Sequence, residues 1–217
     1  MNAKKRKRRL YRYVVDHDCG FAPNPFFGAC TLACCKPKIR STAQKGDVIV
    51  GFGCAKYGLS GRMIYWMEVG EILTFDQYWG DVRFQNKKPS MTGSVMMYFG
   101  DNIYSRDDED GPWHQLRSFH SDERSMIGQG NLKRDTGSTR VLIGQDFTYW
   151  GSQAAELPAR FASLAKKGRG HSVNVDDESL KDEFIVWLKA NEDRGFLADP
   201  VDWARNSKLQ TALSGAA

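Results

Sequence analysis

Long apolar runs are missing from this sequence. The longest, residues 48–52 and 63–67, are far shorter than the roughly 20 residues that a membrane-spanning helix needs. The basic N-terminus does not continue into the apolar segment of a secretory signal either. We therefore expect a cytoplasmic protein without membrane contact. A hydrophobic fraction of 41% over 217 residues suits one globular core.

Acidic residues are missing from the first twelve positions, which hold seven Lys or Arg residues. The rest of the chain then has 24 basic against 26 acidic residues, so the net charge of +5 belongs to this segment. We expect residues 1–9 to form a disordered basic arm and residues 10–217 a single domain. The arm either holds nucleic-acid phosphates through counterion release or is a frayed, solvated terminus.

The sequence has few cysteines, and their number is odd. Without a secretory signal, this predicts reduced thiols. A zinc site needs several ligands in one place, but adjacent cysteines diverge and no second Cys-x-x-Cys pair follows. The pattern favours buried structural thiols and predicts neither a metal nor a cofactor, while a zinc site and a reactive thiol stay open as alternatives. The five cysteines are Cys19, Cys30, Cys34, Cys35 and Cys54.

Standard catalytic signatures are also absent. There is no phosphate-binding loop, no dinucleotide fingerprint and no nucleophile elbow. Four histidines are present, but sequence alone brings no serine or cysteine within reach of any of them. Whether the protein is an enzyme is left open by these observations.

Apolar periodicity predicts mostly strands first and helices later, typical of an α+β protein rather than a parallel doubly wound one. A long polar connection spans residues 101–139. The predicted strands are residues 10–15, 47–52, 62–73, 94–99 and 140–147. The predicted helices are residues 36–44, 158–166 and 178–190, with a capped helical turn at 74–79 and a last helix starting at 199–200.

Polar and aromatic side chains meet at three places between these elements. Asn24 lies in a loop rich in Pro and Gly, the run Gly100-Asp-Asn-Ile-Tyr104 carries Asp101 and Asn102, and Asp146 is followed by Tyr149. A carboxamide beside an aromatic ring can read a base edge while the ring stacks on the base. We expect Asp101 and Asn102 to read a base and Tyr104 or Tyr149 to stack. Ordinary turn chemistry explains the run Gly100-Asp-Asn equally well, and core packing of Phe147 and Trp150 explains the segment after Asp146.

An enzyme could use a cavity formed between these three segments, with Asp101 or Asp146 as the acid or base and His120 as its partner. Four basic residues are candidates for phosphate contacts: Lys36, Arg40, Arg169 and His171. Arg169 and His171 stand among glycines, in a segment that also fits a plain loop after a helix. These residues complete the candidate site.

Several segments together resemble one family. They include Gly20-Phe-Ala-Pro-Asn-Pro-Phe26, Cys35-Lys-Pro-Lys-Ile-Arg40, Gly100-Asp-Asn-Ile-Tyr104 and His120-Ser121, in the order found in nucleotide modification associated domain proteins of the second type. The resemblance covers most of residues 11–190. It implies an association with DNA base hypermodification and phage–host conflict, and partners among nucleobases, nucleotides, DNA and proteins of the modification system.

The strand, helix and Lys-Gly-Asp turn of residues 10–52 are also similar to the start of PUA-like barrels that bind modified bases. The expected fold is thus a central mixed or barrel-like sheet with helices mostly C-terminal. The leading hypothesis is a domain of a DNA modification or antiphage system that binds a base or nucleotide. The alternatives are an enzyme that transfers or hydrolyses a group on a nucleobase or nucleotide, and a protein-interaction subunit.

Overall fold

A computed structural model describes residues 6–121 and 129–203. Within these ranges the chain forms eleven strands and five α-helices. The strands are β1 Leu10–Val15, β2 Cys30–Leu32, β3 Val48–Gly53, β4 Met63–Glu68, β5 Glu71–Thr74, β6 Tyr104–Ser105, β7 His114–Gln115, β8 Arg140–Gly144, β9 Phe147–Tyr149, β10 His171–Ser172 and β11 Gly195–Phe196. The helices are α1 Pro37–Thr42, α2 Phe75–Gly80, α3 Val95–Tyr98, α4 Gln129–Thr136 and α5 Glu178–Ala190.

The main sheet has six strands in the order β10-β1-β3-β4-β9-β11. The neighbours β1 and β3 run parallel to each other. Strand β4 is antiparallel to both of its neighbours, β3 and β9, and β9 is parallel to β11. Because β1 and β3 run the same way, their carboxyl ends meet at one edge of the sheet. The chain leaves this edge around positions 16 and 54.

A second sheet, β2-β8-β5, continues from the first around a corner. The chain passes from β4 to β5 and from β8 to β9 through two short connections. Backbone hydrogen bonds join residues at the first connection to residues at the second. Gly144 lies at this corner, where a Cβ atom would be 2.7 Å from the carbonyl oxygen of Glu68. Only glycine allows the two backbones to approach so closely.

The apolar side chains of β1 and β3 alternate between the two faces of the main sheet, as the strand period of two requires. Tyr11, Tyr13 and Ile49 enter one core cluster. On the opposite face, Val50 and other apolar residues of the sheet pack with α5. Helix α5 begins at its N-cap Asp177. It contributes three buried apolar side chains to this cluster: Phe184, Ile185 and Leu188.

The mixed α+β class expected from the sequence is confirmed, but the sheet is not closed into a barrel. The predicted strand of residues 94–99 is wrong, since α3 occupies Val95–Tyr98 with Ser94 as its N-cap. The predicted strands of residues 62–73 and 140–147 are each split by the corner into two. Helices occur along the whole described chain rather than mostly at its end.

The described part of the basic segment lies against the domain. Arg6 Nη2 is 2.7 Å from Asp47 Oδ1, and Arg9 donates to the same carboxylate through its backbone N–H at 2.9 Å and its Nε at 3.3 Å. The Asp47 side chain is fully buried. Lys4 and Lys5, and the predicted helix beyond residue 203, lie outside the described residues. Among the described helices, none has the length and apolarity needed to cross a membrane.

Candidate active site

Cys35 occupies a strained point of the backbone between β2 and α1. Its φ is 57° and that of the next residue, Lys36, is 43°, so two consecutive residues other than glycine are left-handed. Each costs about 1–3 kcal/mol, and such conformations cluster at active sites and ligand clamps. Among the cysteines, Cys35 alone is partly exposed, since the other four are buried.

A histidine and a carboxylate complete a triad with this thiol. The Cys35 Sγ atom is 3.5 Å from His120 Nε2. On the other side of the imidazole, His120 Nδ1 is 2.7 Å from Asp135 Oδ2. Nucleophile, base and orienting carboxylate thus lie in the order that activates a cysteine or serine for covalent catalysis. The three residues come from the end of β2, the loop after β7 and helix α4.

Buried hydrogen bonds fix the carboxylate of the triad. Asp135 is fully buried, and its Oδ1 accepts the backbone N–H of Cys35 at 2.9 Å. Its Oδ2 accepts the Tyr104 hydroxyl at 3.0 Å in addition to the imidazole. The backbone around the thiol is tied to α4 by Arg40, which donates to the carbonyl oxygens of both Cys35 and Asp135. The triad is therefore held before any ligand arrives.

The electrostatics of the triad favour an ion pair between the imidazole and its neighbours. Burial by itself lowers the pKa of His120, but hydrogen bonds to Asp135 and Cys35 outweigh it and raise the pKa to about 9. Burial would raise the pKa of Asp135, yet the hydrogen bond from His120 and the charge of Arg134 keep that pKa below its ordinary value. Asp135 thus stays ionised and stabilises the protonated imidazole.

Two cations flank the thiol. Arg134 Nη2 lies 3.7 Å from Cys35 Sγ and 3.3 Å from His120 Nε2, and the Arg134 side chain is 45% exposed. Lys36 places its Nζ 4.6 Å from the centre of the Tyr13 ring. Burial lowers the pKa of Lys36, and the charge of Arg134 lowers it further, while Cys35 and Asp16 raise it. The Cys35 site is thus electropositive, as expected for a reactive thiol.

The same neighbourhood contains a second possible grouping of ligand atoms. One atom each from Cys34, His120 and Asp135 lies within 4.8 Å of the others, close enough for one metal ion. The Cys34 side chain, however, is buried, and its Sγ donates to the carbonyl oxygen of Asp101 at 3.5 Å. Both oxygens of Asp135 already accept hydrogen bonds from the protein. The residues therefore fit a cysteine triad better than a metal centre.

A family model described as nucleotide modification associated domain 2 matches residues 7–207. The chain belongs to this family. No curated protein and no solved structure matches it. The description ties the family to nucleotide modification, which confirms the family named from the sequence segments and the coarse part of the functional hypothesis.

In this nucleotide modification associated domain, the predicted base-reading and acid/base residue Asp101 is fully buried. Its carboxylate accepts the hydroxyls of Thr31 at 2.6 Å and Tyr78 at 2.8 Å. Burial raises the pKa of Asp101, against the opposing charge of Lys87, and burial lowers the pKa of Lys87 to about 8. This is a network inside the protein, so the structure gives no support to Asp101 as a group that meets a ligand.

The two predicted carboxamides are buried as well. Asn24 Nδ2 donates to the carbonyl oxygen of Phe99 at 2.9 Å, and Asn24 Oδ1 accepts from Lys87 at 2.7 Å. Asn102 Nδ2 donates to the carbonyl oxygens of Tyr78 at 3.0 Å and Phe84 at 3.2 Å. Both amides join loops to the core of the domain, and for Asn102 this agrees with the turn alternative.

The predicted stacking residues are buried in different places. Tyr104 donates to Asp135 and therefore supports the triad. Tyr149 donates to the buried Asp18, whose pKa is raised to about 6 by burial against the Tyr149 hydrogen bond. Asp146, in contrast, is a surface carboxylate paired with Arg194 at 3.1 Å and Lys189 at 3.7 Å. The open base pocket expected among these residues is thus not supported, because Tyr104 and Tyr149 donate to carboxylates inside the protein. Asn102 Oδ1 is buried and has no hydrogen-bond partner among the described residues.

The four basic candidates divide in two groups. Arg40 is fully buried and directed at carbonyl oxygens, so a phosphate contact there has no support. The other three candidates, Lys36, Arg169 and His171, lie near one another. Burial lowers the pKa of His171, and the charges of Lys38, Lys36 and Lys166 lower it further. Arg169 lines a groove together with Lys166.

Two members of the triad lie in segments that carried the family resemblance, Cys35 in residues 35–40 and His120 in residues 120–121. The sequence named His120 as catalytic and kept a reactive thiol only as an alternative. Asp135 and Arg134 were missed. Their one sequence signal is position in the long polar connection, since loops of that length are often functional.

Proposed function

We propose that this protein is an enzyme that modifies a nucleobase or nucleotide by covalent catalysis at Cys35. The observation that carries the proposal is the chain of contacts from Cys35 Sγ to His120 Nε2 at 3.5 Å and from His120 Nδ1 to Asp135 Oδ2 at 2.7 Å. The family supplies the substrate class, because its description names nucleotide modification. The enzyme alternative is thereby preferred to simple base binding.

The chemistry that these groups support is transfer or hydrolysis of an acyl or amide-type group carried by the nucleotide. The proton of the Cys35 thiol already resides on His120 Nε2 when the sulfur attacks the carbonyl carbon and forms a tetrahedral intermediate. This collapses to a thioester as the bond to the leaving amine breaks, and the amine takes the proton from the imidazolium. Water or an acceptor amine, deprotonated by His120, then attacks the thioester and restores the thiol.

Negative charge on the intermediate needs a donor close to the sulfur. The backbone N–H of Cys35, which often serves at such sites, is already given to Asp135. Besides the imidazole, Arg134 offers a cation close to the sulfur, with Nη2 3.7 Å from Sγ and a partly exposed side chain. In this proposal Arg134 stabilises the developing oxyanion.

The biological setting is part of the proposal. The family resemblance implies DNA base hypermodification or phage–host conflict, with free nucleotides or DNA in the cytoplasm as substrate. Proteins of the same modification system are the expected partners.

The test compares cells that express the wild-type protein with cells that express Cys35→Ala or His120→Gln. Nucleosides from digested DNA and from the free nucleotide pool are quantified by liquid chromatography and mass spectrometry. We expect a change in at least one nucleoside with the wild-type protein and none with either variant. Cys19→Ala, which removes a buried thiol outside the triad, is the matched control and keeps the change.

Equal changes with the wild-type protein and with Cys35→Ala would contradict covalent catalysis. An unchanged nucleoside profile with the wild-type protein would favour the binding hypothesis instead. Melting temperatures of all variants show whether a loss reflects chemistry or unfolding.

A further inference from the structure

A groove of about 500 Å³ opens where β1 and β3 end. The walls come from residues after β1, from residues after β3 and from the loop 166–169. Ligands of α/β proteins commonly bind outside the carboxyl ends of parallel strands. The volume lies within the range of small-ligand sites.

The groove is strongly basic. Its lining includes four Lys or Arg residues and a single carboxylate, that of Asp16. A cleft with one sign of charge concentrates the field and attracts ions of opposite sign. The four cationic residues are Lys56, Lys166, Lys167 and Arg169.

The loop that carries three of these cations has a fixed shape. Lys166 Nζ contacts the carbonyl oxygens of Gly168 at 3.1 Å and Arg169 at 3.2 Å, and Gly168 has a φ of 70°. Lys166 therefore shapes the loop, while the side chains of Lys167 and Arg169 stand exposed at the groove. In the part of the chain that the structure describes, neither of them pairs with a carboxylate. Both are available to an anionic ligand.

Lys36 connects this groove to the triad. Lys36 follows Cys35 in the chain, and its Nζ lies 4.6 Å from the centre of the Tyr13 ring. Tyr13 in turn pairs with His171 of β10, two residues beyond the groove residue Arg169. Burial lowers the pKa of His171, and the charges of Lys38, Lys36 and Lys166 lower it further, so positive charge continues along this edge of the protein. A ligand anchored in the groove would thus extend past Lys36 toward the thiol.

We propose that the groove binds the phosphate of a nucleotide through Lys167 and Arg169 and presents the rest of the nucleotide to Cys35. The inference rests on the proposed function, which it deepens by making the substrate a phosphorylated nucleotide rather than a free base or nucleoside. The phosphate belongs either to a free nucleotide or to DNA, and the binding chemistry is the same in both cases.

Calorimetry at low salt tests the groove with the four 2′-deoxynucleoside 5′-monophosphates and the four matching nucleosides. For at least one base we expect the monophosphate to bind tenfold or more tightly than its nucleoside. Arg169→Ala and Lys167→Ala should each weaken monophosphate binding about tenfold, since each variant loses a charge-assisted contact with the phosphate. Nucleoside affinity should not change. Arg160→Ala, an exposed cation outside the groove, is the control and keeps wild-type affinity.

A second arm identifies the source of the phosphate with a short single-stranded oligonucleotide that does or does not carry a 5′-phosphate. Loss of oligonucleotide binding in Arg169→Ala, without any monophosphate binding to the wild type, assigns the groove to DNA phosphate. Equal affinity for monophosphates and nucleosides, combined with oligonucleotide binding that is indifferent to Arg169→Ala, overturns the proposal.

All affinities are measured again in Cys35→Ala, where the same ratios are expected. The two proposals then fail separately. If Arg169→Ala changes no affinity, the groove proposal fails while Cys35 chemistry stands. If Cys35→Ala still supports modification, the catalytic proposal fails while phosphate binding in the groove stands.

Discussion

Arg40 Nε donates to the carbonyl oxygen of Cys35 at 2.8 Å, so a buried guanidinium holds the backbone of the reactive residue. Its Nη1 reaches the carbonyl oxygens of Ser138 at 2.6 Å and Arg140 at 2.9 Å. One side chain of α1 thereby fixes the loop that follows α4. The geometry of the thiol and the position of Asp135 depend on the same residue.

Replacing Arg40 with Lys should lower the free energy of unfolding by about 2–4 kcal/mol, because an ammonium cannot serve these separated carbonyls in the fixed fork of a guanidinium. Urea unfolding followed by circular dichroism measures the change. The control Arg160→Lys alters an exposed arginine and should stay within about 0.5 kcal/mol. A loss of less than 1 kcal/mol in Arg40→Lys would contradict the structural role.

Iodoacetamide should label Cys35 before any other cysteine. The remaining four thiols are buried, and burial raises the pKa of Cys19, Cys30 and Cys34. His120→Gln should slow labelling of Cys35 at neutral pH about tenfold or more, because the sulfur loses the imidazole that lies 3.5 Å from it. Peptide mapping by mass spectrometry follows each site. Equal labelling rates of Cys35 and Cys54 would argue against an activated thiol.

Protein stability should depend on pH through His120. Its folded-state pKa of about 9 lies above the unfolded value of about 6.5. The resulting stabilisation is complete below about pH 6.5 and is lost as pH rises through 9. Between those values the wild-type free energy of unfolding should fall by up to about 3 kcal/mol more than that of His120→Gln. Parallel urea-unfolding profiles for the two proteins would show that the imidazole does not gain this proton.

Asn102→Ala should affect folding and leave ligand binding intact. The side chain is 1% exposed and donates to two backbone carbonyls, so its removal should cost about 1–3 kcal/mol of stability. Nucleotide affinity per folded molecule should be unchanged. Asn174→Ala, at an exposed asparagine, is the control. If Asn102→Ala instead weakens nucleotide binding at an unchanged melting temperature, the base-reading role expected from the sequence is correct.

Part of the fold could be predicted because local patterns decide it. The residues of β1 and α5 agree with the prediction, since a β-forming run and a 3.6-residue apolar stripe are strong signals. The short apolar run of α3 is ambiguous by the same measure. There Ser94 accepts the backbone N–H of Met97 at 3.4 Å, and this cap accompanies a helix. A serine at this position also fits the turn before a strand. The sequence therefore does not distinguish a helix from a strand at residues 95–98.

The triad could be predicted only in pieces. Cys35 and His120 are 85 residues apart, while His120 and Asp135 are 15 apart across the polar connection. No spacing rule brings such positions together, because their contact depends on how β2 and α4 are placed by the second sheet. Polar residues at predicted strand ends, such as Asp101 and Asn102, gave a stronger local signal of a binding site. In the folded domain, however, both side chains are buried and hydrogen-bond to other protein groups.

At the left-handed pair Cys35 and Lys36, the residue that best serves thermal stability differs from the residue that best serves function. A glycine at position 36 would remove about 1–2 kcal/mol of steric cost and return part of it as unfolded-chain entropy. Lys36→Gly should therefore melt at the wild-type temperature or slightly above it, while it loses the cation between groove and thiol. Selection for thermal stability alone would favour glycine at position 36. The lysine therefore indicates that its side chain has a functional role.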